Sequence, residues 1–131
     1  SGTSMIVISF EGVSSTSTAD MLVTIGDAGG LETSGYISSC CGSENTAMQV
    51  ESSTVSFHVF DKVGGAGINS GHMILTLKDS ANFTWIGSWL MKHSTISMLW
   101  GGGEKSLSAE LTQLKIERGT FDAGSVNIMY Q

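Results

Sequence analysis

The residue types able to do chemistry are sparse in this chain. Twelve Asp and Glu, three His and two Cys are spread over 131 residues. Acid–base hydrolysis of a glycosidic bond needs two carboxylates converging across a cleft. The acids here fall mostly in turns and at strand ends, where carboxylates sit solvated, and no spacing marks a pair. Asp27 and Glu32 flank a glycine turn and offer oxygens to calcium, but the EF-hand spacing is absent. His58, His72 and His93 form no close pair, and the adjacent Cys40 and Cys41 fit no zinc pattern. Gly65-x-Gly67 with Gly71 lacks the third glycine and the following helix of a dinucleotide fingerprint. In the stretch Gly101-Gly102-Gly103-Glu104-Lys105-Ser106, Glu104 separates glycine from lysine and would repel a phosphate. The nucleophile elbow G-x-S-x-G does not occur. The chain therefore reads as having no catalytic, metal or cofactor site, and not as an enzyme.

Aromatic residues carry more information. Trp85 shares a strand face with Phe83 and reads as core. Trp89, Trp100 and Tyr36 lie beside polar residues or glycines. A flat ring on a β scaffold covers large area at low entropic cost, which suits a partner or receptor contact. These three are the candidate contact residues; the competing reading buries them in the fold or in a subunit interface.

The elements that must position them are short strands. Charged residues make up 14% of the chain, against about 25% in average soluble proteins, and proline is absent. Abundant Ser, Thr and Gly disfavour helix. Extended runs are expected at 5–10, 20–25, 31–38, 46–51, 55–60, 72–78, 83–91, 95–100 and 111–117, with a last strand carrying Val126, Ile128 and Tyr130 on one face. Loops are expected at 11–18, 42–45 and 64–71. A break is expected at Gly101–Gly103, and 106–113 is the only stretch able to make a helical turn. About eight to ten short strands at this spacing predict an all-β fold, an antiparallel sandwich or jelly roll, filling residues 1–131 as one domain. The net charge of -6 and a pI of about 4.8 disfavour nucleic-acid binding. No apolar run is long enough to span a membrane, and no basic segment precedes the first apolar stretch as in a signal peptide. Vicinal Cys40 and Cys41 suit two thiols in a reducing compartment better than a strained ring.

One stretch runs from Ile8 to Tyr36 and contains Gly26-Asp27-Ala28-Gly29-Gly30-Leu31-Glu32-Thr33-Ser34-Gly35-Tyr36. A second runs from Gly101 to Ile116 and closes with Gly119-Thr120-Phe121-Asp122-Ala123-Gly124-Ser125-Val126-Asn127-Ile128-Met129-Tyr130. Together these two stretches resemble a family of small phage and prophage virion proteins, usually described as tail or tail-fibre modules. Trp85 after the sixth strand belongs to the same pattern; Cys40-Cys41, Trp89-Leu90-Met91 and Met98-Leu99-Trp100 depart from it. The resemblance implies a virion structural protein, exposed on the particle, acting in host attachment or fibre assembly and standing at the end of a longer fibre. The alternative is a capsid decoration or head-fibre protein; a carbohydrate-binding or depolymerase domain is the third choice. The implied partners are copies of itself in a trimer, other virion proteins, and a host-surface glycan or protein. Met5, Met98 and the aromatic residues offer apolar surface for a subunit interface.

Overall fold

The computed structural model describes residues 2–16, 19–44, 46–60, 67–93 and 97–131, leaving out the side chains of Glu44, Phe60 and Ser97. Residues 64–66 of the expected 64–71 loop, Gly65 among them, and residues 95–96 of the expected eighth strand lie outside the described residues, while 69–71, expected as loop, are strand. The strands are β1 (Met5–Ser15), β2 (Met21–Asp27), β3 (Gly30–Leu31), β4 (Tyr36–Glu44), β5 (Ala47–Ser53), β6 (Phe57–Phe60), β7 (Asn69–Asp79), β8 (Thr84–His93), β9 (Ser97–Ser106), β10 (Gln113–Glu117) and β11 (Phe121–Tyr130). There is no helix among the described residues, and 107–112, part of the stretch expected to turn, is irregular.

The strands form two antiparallel sheets. The larger has the order β11-β1-β7-β8-β9-β4-β5, and the smaller β10-β2-β3 with β6 also paired to β2. They stack as a β-sandwich because each presents an apolar row to the other. Ile6, Ile8 and Phe10 of β1, Met73 and Leu75 of β7, Trp85, Trp89 and Met91 of β8 and Leu99 of β9 face Met21, Val23 and Ile25 of β2 and Phe57 and Val59 of β6. Alternation along each strand makes this arrangement, since successive side chains point to opposite faces. Burying a ring such as Phe57 contributes about 1.5–3 kcal/mol.

Several expected boundaries move. β1 continues through the expected 11–18 loop to Ser15, with register shifts after Phe10 and Glu11. Gly12 (φ 62°) and Gly124 (φ 91°) take left-handed conformations where the shifted β1 meets β11. β4 takes in residues 42–44, expected as loop, because Gly42 lets β9 approach: a Cβ there would lie 2.7 Å from the Leu99 Cα. The expected strand 31–38 is split between β3 and β4.

The largest correction is at Gly101–Gly103, expected as a break and found inside β9. A Cβ on Gly101 would lie 2.5 Å from Trp89 Nε1, and one on Gly103 would lie 2.9 Å from Phe57 Cδ1. These glycines give the two rings a flat seat, which is the use glycine finds inside a strand.

Candidate functional site

Two of the three candidate contact residues are interior. Tyr36 and Trp89 are 1% and 3% exposed, so neither presents its ring on this surface. They form one aromatic stack: Tyr36 meets Phe57 edge-on at 5.1 Å between centroids, and Phe57 meets Trp89 at 5.9 Å. The Tyr36 hydroxyl accepts from Ile25 N–H at 3.0 Å and lies 2.8 Å and 3.1 Å from the carbonyls of Glu32 and Ile25. Burial pushes its pKa up. The neighbouring Gly35, which made Tyr36 ambiguous in sequence, takes a left-handed φ of 75° immediately before β4.

Trp100 is 45% exposed. It stands on the outer face of the large sheet, away from the small one. Strand pairing places side chains there in four rows across the sheet. One row is Met48, Ser43, Met98, Lys92, Ser70; the next is Val50, Cys41, Trp100, Leu90, His72, Ser9, Asn127. The third is Ser52, Ser39, Gly102, Ser88, Ile74, Val7, Met129, and the fourth Ile37, Glu104, Ile86, Thr76, Met5. Half of these side chains are apolar, and the charged ones are Lys92 and Glu104; beyond the rows the same alternation puts Glu11 and Lys78 on this face, Lys78 paired with Glu104 at 2.9 Å. The solvated face of an antiparallel sheet is ordinarily polar. Ile37, Met48, Val50, Leu90, Met98, Trp100 and Met129 are all exposed, and together they make a patch of the kind that marks an interface.

Beside the Trp100 ring the face is notched. A depression of about 470 Å³ is lined by Ser39, Cys40, Cys41, Val50, Trp100, Gly101 and Gly102. Ser39 and Gly102 are too small to fill the sheet surface between larger neighbours. Cys41 lies on this face and Cys40 on the core face, because they alternate along β4; they are not bonded to each other.

The carboxylates weighed for calcium are engaged otherwise. Ser108 Oγ lies 2.5 Å from Asp27 Oδ2 and 2.9 Å from Glu32 Oε1, and Ser108 N–H donates to the same Glu32 oxygen at 2.8 Å. Gly29 N–H donates to Asp27 Oδ1, and buried Lys105 pairs with Glu32 Oε2 at 2.5 Å. The Ser108 hydroxyl, then Gly29 N–H, hold the Asp27 carboxyl below the usual carboxylate range. The Lys105 hydrogen bond does the same for Glu32. This is a polar pin joining the β2–β3 turn to the 107–108 segment. Among the described residues no group of three or more His, Cys, Asp or Glu is arranged to hold a metal. His58 lies 3.5 Å from Asp20, His93 is buried on β8, and His72 is exposed on the outer face.

Sequence reasoning singled out Trp100, Met5 and Met98 on this surface, and Leu90 within a stretch departing from the family pattern, but missed Ile37, Val50 and Ile86. The available signal was that β4, β8 and β9 carry apolar residues on both strand faces. Compared with known proteins, the chain matches no family model, no curated protein and no solved structure. Fold and surface together define a β-sandwich with one apolar outer face.

Proposed function

We propose that this chain is a structural assembly module of a phage particle, a tail or tail-fibre component, whose task is attachment rather than turnover. The virion part of this reading rests on the resemblance of the two glycine-bearing stretches. The assembly part rests on one observation: the outer face of the large sheet is half apolar and carries no net charge. The occupant proposed for that face is another copy of the chain. Seven strands about 4.8 Å apart and four rows spaced by two residues give a face of roughly 700 Å². A standard interface buries about 800 Å² per partner. The molecule carries -6, yet the face balances Lys78 and Lys92 against Glu11 and Glu104, with Lys78 and Glu104 paired at 2.9 Å, so copies meet where net charge is least.

Sedimentation of the parent and a Trp100→Glu/Leu90→Glu double variant tests the assembly. The variant is expected to fold, by circular dichroism, and to form a smaller assembly than the parent. An unchanged mass would remove the outer face from the account. The parent's mass also separates the trimer expected from sequence from a dimer, and placing the chain in an electron-microscopy map of the particle tests the virion reading.

A further inference from the structure

A second surface is a sheet edge with no strand along its outer side among the described residues. β11 is an edge of the large sheet, and all ten of its residues are exposed. Natural edges are guarded by charge, proline, bulges or shortness. The other edges here are guarded. β5 carries Glu51 opposite Cys40 on the inward side, and β10 carries Lys115 and Glu117 in an ion pair at 2.9 Å. β3 and β6 are two and four residues long. β11 is irregular only up to Gly124; residues 125–130 keep unbroken register with β1 and hold no charge and no proline.

The hydrogen-bonding phase of this edge follows from its last pair. Met5 and Gln131 exchange both main-chain bonds, each at 2.9 Å. Antiparallel ladders alternate, so Asn127 and Met129 also bond to β1, while Val126, Ile128 and Tyr130 turn their N–H and C=O groups outward. The side chains of these same three residues lie opposite Phe10, Ile8 and Ile6, on the core side of the sheet, beyond the cover of the small sheet. Ile128 and Tyr130 border a trough of about 320 Å³ whose walls include Ile6 and Leu114.

We propose that two copies of this chain pair edge to edge through β11, antiparallel about a two-fold axis at Ile128. That register sets Ile128 against its own copy and Val126 against Tyr130 twice, each pair able to exchange two main-chain bonds. Aromatic against β-branched is a favourable cross-strand pairing. On the other face Asn127 meets Met129, so the seam brings no charges together, although each copy carries -6. A two-fold axis at Val126 instead would put Asp122 against Tyr130 and Gly124 against Ile128, losing the apolar pairing. This seam adjoins the outer face at Asn127 and Met129 but is made by the main-chain groups of Val126, Ile128 and Tyr130, which the outer face does not use. Two self-complementary interfaces on one subunit would build an open chain of copies.

Amide hydrogen exchange of the full chain tests the seam directly. The N–H groups of Val126, Ile128 and Tyr130 are expected to exchange quickly at micromolar protein and to slow at least about tenfold at millimolar protein. Those of Asn127 and Met129 stay protected at both concentrations. Equal rates at both concentrations for the first three would overturn the proposal. Sedimentation in the Trp100→Glu/Leu90→Glu background gives a second reading: a species of twice 13.7 kDa is expected. Ile128→Lys should reduce it to the monomer, and so should Ile128→Pro, whose lost N–H is not used by β1. A dimer surviving both substitutions in folded protein overturns the edge seam and leaves the outer-face reading standing. A monomer in the double background before either substitution overturns it too.

Discussion

Ser108 holds two carboxylates with one hydroxyl and one N–H, and that local chemistry has a measurable pH signature. Asp27 and Glu32 are both held below their ordinary values of 3.8 and 4.5. A carboxyl lowered in the folded state contributes stability above its unfolded pKa and loses it as pH falls through the folded value. Stability against urea is therefore expected to stay level from pH 7 to about 5 and to fall below about 4.5 on account of this pair. Ser108→Ala removes the largest contribution to the Asp27 shift. The variant should be less stable than the parent at pH 7, and the gap should narrow toward zero as the pH drops past both carboxyls. A gap constant from pH 7 to pH 3 would mean that the hydroxyl acts through packing alone. Sequence pointed to Asp27 and Glu32 as neighbours of a glycine turn. It gave no sign of Ser108, 81 residues from Asp27, because only the folding of the 107–108 segment onto β2 brings them together.

At the level of single strands, β9 shows how a local rule is overruled. Glycine in a strand interior costs about 0.5–1 kcal/mol against alanine, so three in a row read as a break. Here Gly101 and Gly103 face the core under Trp89 and Phe57, while Gly102 faces outward, where the nearest atom to an added Cβ is Gly87 O at 3.3 Å. Gly101→Ala is expected to destabilise by about 1–3 kcal/mol, the usual cost of overpacking. Gly102→Ala is expected to stay within about 0.5 kcal/mol of the parent. Paired urea midpoints decide it, and equal losses would mean that the rings do not require the glycine seat. Strands with clean alternation, such as β7 with Met73 and Leu75 against His72 and Ile74, were readable because period two is local. The extension of β1 past Glu11 was not: its polar Glu-Gly-Val-Ser-Ser run is held as strand by β7 and β11 on either side. Tyr36 and Trp89 were candidates for exposure because nothing local reveals that Phe57, from another sheet, comes to lie between them.

For the whole molecule, the unequal widths of the two sheets matter most. Four strands cannot cover seven, so β11 is left bare, and the outer face of the wide sheet is apolar where solvent would favour polar side chains. Neither feature is visible in strand periodicity, which shows which residues alternate but not which strand has a neighbour above it. The acidic charge then sets how assembly responds to salt. Two copies at -6 each, with centres about 25 Å apart, repel by about 1 kcal/mol at 0.05 M salt and negligibly at 0.5 M. Association through half-apolar surfaces whose few charges balance gains little from Coulomb attraction, so that relief should appear almost undiminished. Raising salt from 0.05 M to 0.5 M at pH 7 is expected to tighten self-association roughly fivefold. Had the interface rested on ion pairs such as Lys92 of one copy with Glu11 of another, the same change would loosen it. Sedimentation equilibrium across that range separates the two cases by sign, and a weaker assembly in high salt would mean that the copies meet through their charges rather than through the apolar face.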